Sequence, residues 1–401
     1  MRRLAVALAA LLFFGILTMW VEELWAWSAF QVGIFLLSAL RLLQKKPVQF
    51  RSVCIPLAAA AVWPLLQLVS GQTLARAETW TALLTWETFL LVFLLACDAF
   101  ADVEARTWFL KTASLGGSLL AALSVVQKYS SGGKIFWLFP SGYAADVLGP
   151  FVNRNQFAAW IELLLPTALY FAVKDRRCVA LYGTGAAILF SSVIASGARM
   201  GSVLVLAEAA GVILLFAARH NLPRRTLVIR SVQLAGLAAI AVALAGSQTL
   251  RTRLESFGPE PLRVDALRAS IKMIGDHTWT GIGLGAWSIV YPRYAAIDTG
   301  VFMNQAHNDW VQWAAEGGVP FLLLLVLLTA QLRKPALRSI YGVGVIAFLL
   351  HSFVDYPMQQ RPALACWFFA IAGAAVAVRN VGASRVAEAV GGELVIQDEF
   401  P

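Results

Sequence analysis

His307 stands in the run Asn304-Gln-Ala-His-Asn-Asp-Trp-Val-Gln-Trp-Ala-Ala-Glu-Gly-Gly318, which ends the one long polar stretch between apolar segments. An imidazole can take a proton from a hydroxyl near neutral pH, so it is a candidate general base. The run reads as a helix over 304–316. That places His307 near the first turn, on a face with Val311 and Ala314, and puts Trp310 and Trp313 on another face. On this reading the two indoles seat the helix in the bilayer interface. A helix start beside Asn304 and Asn308 favours anionic groups. The plain alternative is a surface or capping histidine. No Cys, Asp or Glu set at zinc spacing surrounds His307, so no metal site is expected.

Cations gather in the same polar stretch: Arg251, Arg253, Arg263, Arg268, Lys272 and Arg293, with His277 among them. Residues 263–275 read as an amphipathic helix with Val264, Leu267, Ile271 and Ile274 as its apolar stripe. Gly281-Ile-Gly-Leu-Gly285 has the wrong spacing for a dinucleotide loop and reads as a tight turn. Two further groups lie at predicted span ends. Asn153, Arg154 and Asn155 in Gly149-Pro-Phe-Val-Asn-Arg-Asn-Gln-Phe-Ala158 offer amides and a planar guanidinium suited to phosphate. Helix capping and interfacial snorkelling would also account for them. Arg199, in the short turn Ser196-Gly-Ala-Arg-Met-Gly201, has little room to leave the membrane boundary, and an arginine held so close to a bilayer usually has a specific partner. Arg361 and Asn308 are further candidate binding residues. Glu87, Glu162 and Glu208 fall inside apolar spans, either as interhelical hydrogen-bonders or as a proton path.

The elements that position these residues are membrane helices. The 401-residue chain is 59% hydrophobic with 14% charged residues and a mean hydropathy of +0.70, whereas soluble domains carry about 25% charge. Twelve spans are predicted, at 4–20, 24–43, 53–70, 80–98, 108–127, 155–173, 178–195, 200–218, 230–247, 319–332, 340–355 and 362–378. Twenty of the 32 Lys and Arg residues then fall in loops on one side and six in the short loops on the other. That bias places both termini in the cytoplasm. The expected organisation is all-α: nine spans over 1–247, an extracytoplasmic loop over 248–318, three spans over 319–378 and a short cytoplasmic tail over 379–401. The net charge of +9 follows from orienting loops and does not imply nucleic acid. The four cysteines form no CxxC pair, so no metal site or disulfide framework is indicated.

Taken in order, the 149–158 and 196–199 motifs, Arg263-x-x-x-Leu267, Gly281–Gly285, His307-Asn-Asp with Glu316-Gly, and His351-Ser-Phe-Val-Asp355-Tyr-Pro resemble the O-antigen ligase and polymerase family over roughly 140–375. The resemblance implies a twelve-helix fold with one large outer loop, similar to the class C glycosyltransferases. It implies an inverting glycosyltransferase that uses neither metal nor cofactor. Such an enzyme moves a glycan from undecaprenyl diphosphate to an acceptor hydroxyl at the outer face of the bacterial cytoplasmic membrane, as in lipopolysaccharide assembly. Arg199 and Arg263 match the family's diphosphate binders, and His307 matches its loop histidine. Ala198 departs from the serine that commonly precedes the arginine. The implied partners are the undecaprenyl diphosphate-linked donor, membrane lipids, and a glycan, lipid A core or protein acceptor. A surface-polysaccharide polymerase or protein oligosaccharyltransferase remains open, because the acceptor decides between them. A non-enzyme exporter of lipid-linked oligosaccharide would instead show repeat symmetry and polar residues at the bilayer midplane.

Overall fold

The computed structural model describes residues 1–44, 51–142, 147–175, 177–220, 261–297, 302–359 and 361–378, with single positions 225, 236 and 300. Thirteen α-helices occur among them: α1 (Arg2–Leu17), α2 (Leu24–Leu43), α3 (Cys54–Val69), α4 (Arg76–Ala99), α5 (Val103–Ser130), α6 (Arg154–Lys174), α7 (Val179–Ser196), α8 (Arg199–His220), α9 (Pro261–Asp276), α10 (Trp287–Val290), α11 (Asp309–Arg338), α12 (Gly342–His351) and α13 (Pro362–Ala377). The one sheet among the described residues is a two-residue-per-strand hairpin, Lys134–Ile135 with Phe139–Pro140. The chain is an all-α polytopic membrane protein. Among the described residues seven helices are long and apolar enough to cross a bilayer: α2, α4, α5, α6, α7, α8 up to Ala218, and α11. α3, α12 and α13 are shorter apolar helices. Eleven of the twelve predicted spans fall on described helices. The ninth, 230–247, lies outside the described residues, as do loop positions 248–260 and the tail 379–401.

α6 and α13 form the centre, because apolar side chains surround both. Every residue of α13 from Ala363 to Ala377 is buried, and Trp160, Trp367 and Phe109 meet ring to ring between α5, α6 and α13. Close helix approach relies on glycine at two points. A Cβ on Gly373 would lie 2.7 Å from that of Ala96 on α4, and one on Gly344 would lie 2.4 Å from the carbonyl oxygen of Glu162 on α6.

α12 is unusual in length. Its ten residues rise about 15 Å, half of a hydrocarbon core. It starts against the α6 backbone, with Gly344 beside Glu162 O; the His351 side chain at its end reaches the Glu162 carboxylate, and the following turn brings Tyr356 to Asn153 at the head of α6.

α11 bends at Gly318 (φ 73°, ψ 178°). Pro320 has no N–H to give to the Glu316 carbonyl, and the Val319 N–H turns away to Thr278 O at 2.8 Å. The two freed carbonyls are taken up by the glycine-rich turn: Ile282 N donates to Ala315 O at 3.0 Å and Gly283 N to Glu316 O at 3.0 Å. Gln67 of α3 closes the joint. Its amide donates to Thr280 O (2.6 Å) and Glu316 O (2.9 Å), and its oxygen accepts Leu284 N (3.0 Å). The turn has Gly281, Gly283 and Gly285 at positive φ, as a tight turn demands.

Two expectations for this region are corrected. α9 buries Asp265, Ala266, Ala269, Ser270 and Met273, while Leu267 and Ile271 of the anticipated apolar stripe are 40% and 57% exposed. Small side chains let α9 sit close to the Trp287–Tyr291 stack, where Trp287 Nε1 donates to Ser270 Oγ at 2.9 Å. Trp310 and Trp313 are buried inside the protein, not seated in the interface: Trp310 stacks on Phe353 and donates to Ser352 Oγ at 2.7 Å, and Trp313 meets Trp86 of α4.

Candidate functional site at the head of α11

His307 precedes α11 and is not part of it, which corrects the expected helix over 304–316. Asn308 is the N-cap, its side chain accepting Val311 N at 3.0 Å, so the chain must turn immediately before it. His307 makes that turn with φ at 57°, a left-handed conformation that costs a non-glycine residue on the order of 1–3 kcal/mol. Contacts on both sides hold it there. Ala306 N donates to Gln312 Oε1 at 2.8 Å. Asn308 Nδ2 donates to Phe353 O at 2.7 Å, and Asp309 N reaches Ser352 O and Asp355 O at 3.0 and 3.2 Å.

The imidazole is 24% exposed, and its Nδ1 lies 3.7 Å from Asp355 Oδ1, an ion-pair distance longer than a hydrogen bond. Its ring meets Tyr356 edge-on at 4.7 Å. Asn153 of the α6 start accepts Asn155 N at 2.8 Å as a cap and donates to Tyr356 Oη at 3.3 Å. Burial alone would push the Asp355 carboxyl up, but the neighbouring His307, the charge of His351 and the Asn155 amide outweigh it and hold the group below the usual carboxylate range. Nδ1 is the ring nitrogen turned to this carboxylate.

The structure thus brings Asn153, Asn155, His307 and Asn308 together around residues 353–356. Arg154 is the first residue of α6. Arg199 begins α8, whose first turn packs on α6 so closely that a Cβ at Gly201 would lie 2.4 Å from that of Ala158. Arg361 caps α13, three residues beyond Met358, whose N–H is held by Asp309 Oδ2 at 3.1 Å. Arg263 lies in the first turn of α9. That helix shares an apolar cluster with Ala306, the residue before His307. Asp265 anchors the same turn, accepting from Tyr291 Oη at 2.7 Å and Ala296 N at 3.1 Å. Burial and that hydrogen bond push the Tyr291 hydroxyl up to about 12, so it remains a donor.

Asp355, Tyr356, Gln312 and Gln67 were not assigned roles from sequence. The motif Asp355-Tyr-Pro was the available signal for the first two; the glutamines carry none. Among the described residues no group of three His, Cys, Asp or Glu stands where it could hold a metal ion. An apolar groove of about 880 Å³ runs between α11 and α12, from Asn308 and Trp310 past Leu322 and Leu349 to Arg333.

No curated protein matches the chain. Residues 184–326, from within α7 to the middle of α11, match the family described as O-Antigen ligase, and this segment contains Arg199, Arg263 and His307. It is about a third of the sequence, and over it this multi-pass membrane protein is similar to the O-antigen ligase family.

Proposed function

We propose that this protein transfers an oligosaccharide or polysaccharide from undecaprenyl diphosphate to an acceptor hydroxyl on the outer side of the cytoplasmic membrane. His307 removes the acceptor proton through Nε2. The acceptor oxygen attacks the anomeric carbon as its bond to the diphosphate breaks, so the configuration inverts and undecaprenyl diphosphate leaves. Arg199 and Arg263 offset the charge developing on that leaving group, with Asn153, Arg154, Asn155, Asn308 and Arg361 as further binding residues. Guanidinium groups, fixed and planar, suit a diphosphate, and the reading requires no divalent cation. The groove between α11 and α12 suits an apolar tail whose head lies beside Asn308.

The observation that carries this reading is the strained backbone of His307 beside a carboxylate held ionised, inside the segment that matches the family. Strain of this kind collects at functional sites. The test is transfer by purified protein from an undecaprenyl diphosphate-linked donor in the presence of EDTA. Turnover that survives the chelator supports the reading, and product that appears only with added magnesium sinks its arginine-based chemistry. Envelope glycans of a deletion strain identify the acceptor: loss of lipid A-core attachment, of long chains or of protein glycans are separate patterns. For orientation, a Trp279→Cys variant, 73% exposed in the loop, is expected to label in intact spheroplasts with a membrane-impermeant reagent. Labelling only after lysis reverses the topology.

A further inference from the structure

Behind the candidate base lies a second set of ionisable groups that the transfer chemistry does not use. Glu162 Oε1 and His351 Nδ1 are 2.8 Å apart, with side chains 0% and 1% exposed. They join α6 to the end of α12, and near the start of α12 Gly344 lets its backbone touch that of Glu162. Glu208 of α8 is buried close enough to feel the Glu162 charge, and both its carboxylate oxygens lack hydrogen-bond partners. His351 is tied to the turn that carries the site, since its carbonyl accepts Val354 N and Asp355 N at 3.0 and 3.1 Å, and its charge acts on Asp355. Buried polar groups in apolar spans are costly and are retained where they have a task. A helix-joining hydrogen bond alone could be made by neutral amides.

We propose that the Glu162–His351 pair is a positioning element for His307, acting through Asp355: it anchors the end of α12, whose His351 carbonyl holds the Asp355 N–H, and so sets the orientation and proton affinity of His307. This rests on the reading of His307 as the base. The ionisable side chains near this end of α12 are Glu208 on α8, Arg154 on α6, Asp309 on α11, Arg361 at the head of α13, and Asp355 and His307 in the adjoining turns. Removing Glu162 leaves a buried imidazole with no counter-charge, which sheds its proton. Removing His351 deletes the cation outright. Either way Asp355 acts on His307 unopposed, and His307 keeps its proton to higher pH. The two substitutions delete one dipole, so their effects should not add.

The test measures carbethoxylation of His307 by diethyl pyrocarbonate against pH, read by mass spectrometry on intact protein in lipid nanodiscs. Glu162→Gln, His351→Gln and the double variant are each expected to raise the pH midpoint by the same amount, and Glu162→Asp, which keeps the charge, to restore most of it. Transfer at neutral pH should fall about 10-fold, the lower order seen when groups that orient a functional imidazole are removed, with donor KM unchanged. Unmoved midpoints, or shifts that add in the double variant, overturn the proposal. A raised midpoint with undiminished transfer upholds it and refutes His307 as the base. Should His351→Gln not fold, the near-isosteric Glu162→Gln decides alone by the same midpoint.

Discussion

The short helical segment from Asp309 to Gly317 has two ends, and they are built oppositely. At the Gly318 elbow every carbonyl freed by the bend finds a donor, and the turn sits so close that a Cβ on Gly281 would lie 2.2 Å from Glu316 O. At the His307 end, His307 Nδ1, Asp355 Oδ2 and Asp309 Oδ1 are buried without hydrogen-bond partners, and the ion pair stands off at 3.7 Å. Native proteins pair nearly all buried polar atoms, so such exceptions call for a reason. One end is saturated because it only has to hold. The other keeps bonding capacity for something that is not part of the chain.

The sharpest way to break this contrast is His307→Ala. Loss of a general base costs about 10²–10⁴-fold in rate, and transfer is expected to fall by that much. The helix cap is Asn308, not His307, so folded yield should hold. Measured per folded molecule in detergent, wild-type turnover would exclude the base role.

Arg199→Ala and Arg263→Ala come next, at about 10²–10³-fold each, the scale of removing one fixed charge-stabilising donor. The lysine variants keep the charge but lose the fork and should fall between alanine and wild type. Equal activity of lysine variant and wild type at both positions would dismiss bidentate diphosphate binding.

At the saturated end, Gly281→Ala is expected to cost stability and not chemistry, by at least about 1–3 kcal/mol for the strained backbone alone. Thermal aggregation followed by size exclusion should show a lower midpoint, with turnover of the remaining folded enzyme near wild type. A variant equally stable but inactive would erase the distinction between the two ends.

Much of the scaffold was legible because bilayer spans write themselves as long apolar runs, and eleven of those runs are helices here. The elbow was half legible: Gly317-Gly318-Val-Pro320 announces a break, but nothing nearby says that Gln67, about 250 residues earlier, closes it. The α9 face was misread because the apolar stripe Leu267, Ile271 was given more weight than Ala266, Ala269 and Ser270, whose small size is what packs. At the site, Asn308 could be seen as polar but not as the cap that pushes His307 out of the helix. Asp355 reaches His307 because the turn after α12 bonds to the head of α11, and that pairing is a tertiary fact.

The smallest expected effect sharpens the contrast from the acid side. The Asp355 carboxyl is held below the usual range in the folded protein. The folded state therefore binds its proton less readily than the unfolded chain does, and the ionised group contributes stability above the ordinary carboxylate pKa of about 3.9. That contribution is lost as pH falls through the depressed folded value. Asp355→Asn removes the titration. Its thermal midpoint is therefore expected to lie below that of wild type at neutral pH, with the gap closing as the buffer is taken below about pH 4. The bonds that Gln67 makes at the elbow, to two backbone carbonyls and one backbone amide, do not titrate, so Gln67→Leu should lower the midpoint by the same amount at every pH. A Gln67→Leu gap that narrows with acid, or an Asp355→Asn gap that does not, would mean that the two ends of this helix are not held by different kinds of bond.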